Sequence, residues 1–77
     1  MEAQKVIENL IWVDSDRVSG SPCFYGTRVP IEILFDYIEG GDTIEEFLDS
    51  YPGVSRVQVL GVIALSRKGV EQIIEAA

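Results

Sequence analysis

The hydrophobic period of the chain changes at Pro30, and that change constrains what the chain can fold into. Before it stand two short apolar, β-prone runs, Leu10-Ile11-Trp12-Val13 and Cys23-Phe24-Tyr25. Asp14-Ser15-Asp16 breaks the first run, Ser19-Gly20-Ser21-Pro22 is a turn cluster, and Gly26 ends the second. Two short strands are therefore expected ahead of Pro30, with residues 1–9 either fraying or beginning a strand. After Pro30, Ile31, Leu34, Phe35 and Ile38 recur at helical spacing, with Glu32, Asp36 and Glu39 on the opposite side.

Local signals divide the remainder into helices. Pro30 suits a first helical position, where its missing N–H costs nothing, and Gly40-Gly41 suits the end, so a helix is expected over 30–39. A second is expected over 43–51, because Thr43 and Glu46 have capping-box spacing and Tyr51-Pro52-Gly53 stops the run. Ile44, Phe47 and Leu48 form its apolar face. Ser55 opens a third over 55–67, Gly69 is expected to end or bend it, and 70–76 reads as a short final helix or a continuation. At about 100° per residue, Val57, Val59, Leu60, Val62, Ile63, Ala64 and Leu65 spread around most of the third helix. A helix that is apolar nearly all round is buried on more than one side. One face is expected against the first two helices and another against a second chain. The expected fold is mainly α: a single domain over 1–77 with a three-helix, helix-turn-helix bundle preceded by two short β-strands.

The inventory excludes most chemistry. The chain has no histidine and one cysteine, Cys23, so neither a proton shuttle at neutral pH nor a zinc site is expected, and no cofactor or metal is implied. With 77 residues there is little wall for a water-excluding pocket, so neither an enzyme nor a small-molecule substrate is expected. A chain this short buries only about 60% of the surface its unfolded form exposes, so a second subunit or a partner would add stability. A lone cysteine cannot form an internal disulfide, which fits a reducing cytoplasm. The start of the chain lacks a basic region followed by an apolar core, so no secretion signal is expected. No uncharged stretch is longer than Val57 to Ser66, which is far below the roughly 20 residues of a membrane span.

Charge gives direction to the expected binding role. The net charge is −7, and between Val29 and Ser55 lie Glu32, Asp36, Glu39, Asp42, Glu45, Glu46 and Asp49 with no Lys or Arg. Outside that block six acids balance six bases. Such a face repels phosphate backbones and attracts a basic protein; the plain alternative is a solvated acidic surface that aids solubility. Glu45 and Asp49, four apart, share a helix face, but without a pocket or complementary ligands the cluster reads as solvated rather than metal-binding. If the second and third helices form a DNA-reading helix-turn-helix, the groove-facing turn offers only Arg56 and Gln58 among aliphatic residues.

Gly26-Thr27-Arg28-Val29-Pro30 carries a second set of expectations. Gly26 is expected at positive φ, Thr27 in a local hydrogen bond, and Arg28 in an ion pair with Glu32, Asp36 or an acid of a second subunit. Cys23 reads as a buried small hydrophobe, because no base is present to activate it. Trp12, Phe24 and Tyr25 read as core, or as interface anchors if they project from an edge strand.

The run Asp16-Arg17-Val18-Ser19-Gly20-Ser21-Pro22-Cys23-Phe24-Tyr25-Gly26-Thr27-Arg28-Val29-Pro30 is followed by Gly40-Gly41-Asp42-Thr43-Ile44-Glu45-Glu46-Phe47-Leu48 and Tyr51-Pro52-Gly53. Together these resemble the bacterial domain-of-unknown-function family DUF433, a VapB-like antitoxin family, over about residues 10–66. The resemblance implies a homeodomain-like tri-helical fold preceded by short strands, frequent homodimerisation, and the antidote half of a toxin–antitoxin pair whose partner is a PIN-like ribonuclease toxin. It places Trp12, Gly20, Pro22, Gly26, Thr27, Arg28, Pro30, Tyr51 and Pro52 in the fold or in an interface. Ser21 stands where the family often has lysine, and the start of the third helix is poorly polar; both departures weaken DNA binding more than protein binding. The leading expectation is a small protein-binding antitoxin, with a helix-turn-helix transcriptional regulator as the alternative.

Overall fold

Three strands come first. A computed structural model of the chain describes residues 4–14 and 20–76, so Ser15 and the Asp16–Ser19 part of the motif lie outside the described residues. Strands β1 (Gln4–Ile7), β2 (Ile11–Asp14) and β3 (Cys23–Phe24) form an antiparallel sheet in that order. Ile7 stands opposite Ile11, and Ile11 and Trp12 stand opposite Phe24 and Cys23. The sheet has one strand more than the sequence predicts. The β1–β2 reversal lacks the glycine that marks tight hairpins. Instead Glu8 and Asn9 themselves take positive φ (51° and 57°), and the Leu10 N–H donates to the Ile7 carbonyl at 2.9 Å.

Helix α1 spans Ile31–Glu39 and α2 spans Ile44–Ser50. Pro30 sits one residue earlier than predicted: at φ −63° and ψ 141° it is the extended cap of α1, not its first helical residue. The end of α1 is a Schellman motif. Gly41 adopts φ +85°, its N–H donates to the Ile38 carbonyl, and the Asp42 N–H donates to the Tyr37 carbonyl. At α2 both halves of the predicted capping box form: the Glu46 N–H donates to Thr43 Oγ1 (3.1 Å), and the Thr43 N–H to Glu46 Oε1 (2.8 Å).

Helix α3 runs unbroken from Arg56 to Ala76, so it extends past the expected end at residue 67, and of the two readings of residues 70–76 the continuation holds. Glycine within a helix costs only about 1 kcal/mol relative to alanine. Gly69 is followed by the regular run Val70-Glu71-Gln72-Ile73 and by no proline, so nothing there completes a stop.

Phe24, Leu34, Phe47, Val54, Val59 and Val62 form the buried core, so each helix and the last strand contribute to it. Phe47 is its aromatic centre, with ring centroids 5.7 Å from Phe24, 5.4 Å from Tyr37 and 5.2 Å from Tyr51. The outer side of α3 leaves Val57 and Leu60 exposed, and the turns beyond Gly69 expose Val70, Ile73 and Ile74. The architecture is mainly α with strands ahead of the helices. Among the described residues, no helix is long and apolar enough to cross a membrane.

Candidate functional site

The segment from Pro22 to Pro30 is a hydrogen-bonded brace. Its turn is closed by the Thr27 N–H donating to the Phe24 carbonyl at 3.0 Å, with Gly26 at φ +81° in the third position. That position of a type II turn requires positive φ, which is why glycine serves there. The Thr27 hydroxyl donates to the Phe24 carbonyl (2.8 Å) and accepts from the Val29 N–H (3.1 Å). The Trp12 indole N–H donates to the Thr27 carbonyl at 2.8 Å, tying β2 to the turn. The chain then returns along β3, where the Phe24 N–H donates to the Val29 carbonyl and Cys23 bridges Pro30. Pro22 contributes its carbonyl, which accepts the Ile31 N–H at 2.9 Å and so holds the start of α1.

Other residues singled out by the sequence divide between core and surface. Cys23 and Phe24 are buried, Trp12 is half-buried edge-on to Tyr25 (5.4 Å between centroids), and Tyr25 is exposed. Tyr51 stacks on the core, whereas Pro52 is exposed. Gly20 has φ +78° at the start of the described motif. Arg28 is exposed, and among the described residues it pairs with neither Glu32 nor Asp36, so the two pairs expected within the chain do not form. One turn of α1 already separates it from Asp36, and an exposed pair gains too little to hold two flexible side chains together.

The first turn of α3 is tied to its surroundings by its polar groups. Ser55 and Gln58 form a reciprocal capping box, with the Ser55 N–H donating to Gln58 Oε1 (2.9 Å) and the Gln58 N–H to Ser55 Oγ (3.1 Å). The remaining amide donor of Gln58 reaches the Tyr25 carbonyl at 2.9 Å. Arg56 Nη2 donates to Glu45 Oε2 at 2.7 Å, bridging α3 and α2. Thus both side chains considered for base reading are engaged within the chain. The Ser55-x-x-Gln58 spacing is itself a capping signature, the signal by which sequence reasoning could have found this role.

The hydrogen bond from Arg56 holds the Glu45 carboxyl below the usual glutamate range, helped by a backbone hydrogen bond and by the guanidinium charge. A depressed carboxyl favours the folded state above its unfolded value, and that contribution is lost as pH falls through the folded one. Arg56→Ala is therefore expected to raise the Glu45 titration midpoint, as read by NMR titration of its carboxyl carbon. An unmoved midpoint would show that the bridge does not persist in solution. Added salt is expected to shrink the shift, because the pair is exposed.

The predicted acidic face is present on the surface. Glu32, Asp36, Glu39, Asp42, Glu45, Glu46 and Asp49 are all exposed. The spacing of Glu32, Asp36 and Glu39 aligns them on one side of α1. Glu45 alone of the seven has a cationic partner among the described residues. No group of three acidic, histidine or cysteine side chains converges on a metal position among the described residues.

A family profile described as a protein of unknown function, DUF433, matches residues 11–66. The chain belongs to this family. The DUF433 match runs from the second strand through the buried part of α3 and stops before Gly69, so the exposed end of that helix lies beyond it. No curated protein and no solved structure matches the chain.

One feature of this region was not legible in the sequence. The Leu10 side chain lies directly on α3 at Gly61, where an added Cβ would stand 2.8 Å from both Leu10 methyl groups. Only glycine admits this approach without displacement of Leu10, and it fastens the β1–β2 turn to the helix. Beside the contact runs an open groove of about 500 Å³ lined by Leu10, Leu60, Gly61 and Ala64, with Lys68 and Glu71 at its rim.

Proposed function

We propose that this DUF433 protein is a small protein-binding module that serves as the antitoxin of a type II toxin–antitoxin pair and neutralises a PIN-like ribonuclease. The observation that carries the reading is the acidic surface of α1 and α2, whose carboxylates are exposed and, apart from Glu45, without cationic partners among the described residues. A ribonuclease must bind phosphates, so the rim of its active site is cationic. An acidic face complements that rim and speeds encounter with it. Arg56 and Gln58 support the same reading from the other side, since their internal bonds leave the start of α3 with little to offer a base edge. A homeodomain-like arrangement of α2 and α3 then serves to pack the core and present the acidic helices.

Co-expression with the product of the adjacent gene tests the proposal. A nuclease is expected to co-purify and to lose activity, and Glu32→Lys with Asp36→Lys is expected to slow association by roughly tenfold or more. If no nuclease is encoded alongside, or if it neither binds nor is inhibited, the antitoxin reading fails. A helix-turn-helix regulator would instead retard the upstream promoter fragment at low salt and lose that binding on Arg56→Ala.

A further inference from the structure

The two edges of the sheet differ. The far edge of β3 is closed by its own chain, through the Phe24 N–H donating to the Val29 carbonyl at 3.0 Å and the Cys23–Pro30 bridge. Beyond β1 no strand or bridge stands among the described residues, so the outward backbone groups of Gln4–Ile7 are left without a strand to pair them. Two rows of apolar side chains cross the sheet and are cut short at this edge. On one face Phe24, Ile11 and Ile7 stand side by side, and on the other Cys23, Trp12 and Val6. Exposure rises along both rows. Phe24 and Cys23 are 0% and 3% exposed, Ile11 and Trp12 are half-buried, and Ile7 and Val6 reach 39% and 41%. The next place in each row belongs to a strand that the described residues do not provide.

We infer that β1 is a docking edge on which an extended segment of another protein adds antiparallel as a fourth strand. The chemistry of that segment follows from what it faces. Aliphatic or β-branched residues opposite Ile7 and Val6 continue the two rows. An acid opposite Lys5 meets an exposed ammonium that has no ion-pair partner among the described residues. In antiparallel order the segment therefore reads apolar, apolar, acidic. A second copy of β1 offers Val6 and Ile7 but then Glu8, whose φ of 51° places it in the turn rather than in an extended strand. The edge is held ready for docking, because Leu10 packs on Gly61 of α3 and fixes the end of the hairpin. β1 lies ahead of the family match, which begins at residue 11. It also uses none of the acidic block of α1 and α2, so the antitoxin proposal stands or falls without it.

The test titrates the full chain with an end-blocked peptide, Lys-Thr-Val-Val-Asp-Thr-Lys, followed by amide NMR. So short a strand is expected to bind weakly, with a Kd of about 1 mM. Shifts are expected at Gln4–Ile7, together with slower exchange of their outward amides. The same peptide N-methylated at both valines keeps its charge and side chains but loses the pairing N–H. It is expected to bind at least about tenfold more weakly. Lys5→Glu is expected to weaken the original peptide about threefold and to favour one with lysine in place of aspartate. Shifts that are absent at millimolar peptide, or confined to the helices, overturn the inference. Equal binding of the N-methylated peptide also overturns it. So does a free chain whose mass doubles in sedimentation while its β1 amides are already protected, because its own copy then occupies the edge.

Discussion

Phe47→Ala is expected to remove about 3–5 kcal/mol of folding stability, the usual cost of deleting a fully buried aromatic side chain. Phe47 is wholly buried, and its ring lies within 6 Å, centroid to centroid, of Phe24, Tyr37 and Tyr51. Removing it strips contacts from three other aromatic rings and opens a cavity between the last strand and all three helices. A domain of 77 residues commands only roughly 4–12 kcal/mol in total at 0.05–0.15 kcal/mol per residue. The variant should therefore be largely unfolded near the lower end of that range and sharply less stable at the upper end. Urea unfolding followed by circular dichroism is the measurement. A loss under about 1 kcal/mol would mean that the core is not organised around this ring.

The second large effect is expected at Thr27. Thr27→Val keeps shape and volume but removes the hydroxyl that donates to the Phe24 carbonyl and accepts from the Val29 N–H. A partly buried N–H left without an acceptor costs about 1–3 kcal/mol. Thr27→Ser keeps both bonds and is expected to recover most of the loss. The pair separates hydrogen bonding from packing, because valine preserves the methyl that lies beside Gly53 whereas serine loses it. If serine proved as damaging as valine in urea unfolding, packing against the α2–α3 turn would be the main role of this residue. Either result explains the Gly-Thr-Arg-Val-Pro signature largely as architecture: glycine for the turn, threonine for its closure, proline for the entry to α1. The Arg28 side chain makes no ion pair among the described residues.

Much of this fold could be read from the sequence, because its punctuation is local. The Thr43–Glu46 box, the Gly40-Gly41 stop and the apolar positions Ile31, Leu34 and Phe35 of α1 are each determined within a few residues and appear where that chemistry places them. Ile38, expected on the same face, is exposed, and Ile33 and Tyr37 pack on the core instead. Features that depend on distant residues were harder to read. Strand β1 is defined by its pairing with β2 through a reversal without glycine. The continuity of α3 depends on the absence of a completed stop at Gly69, and the purpose of Gly61 is visible only once Leu10 is found against it. Among candidate site residues, the acidic block was fully legible, since exposure follows directly from charge. Arg56 and Gln58 were not, because Glu45 and the Tyr25 carbonyl that engage them are 11 and 33 residues away.

Gly69 has a cost without a local return. A Cβ there would meet nothing within 4 Å, so alanine would fit freely and give about 1 kcal/mol of helix stability. A glycine in open space lowers helix stability at that point, so the turns beyond it are expected to open more readily than the body of the domain. Amide exchange in the segment from Val70 onward is thus expected to be faster than in the turns of α3 around the buried Val59 and Val62.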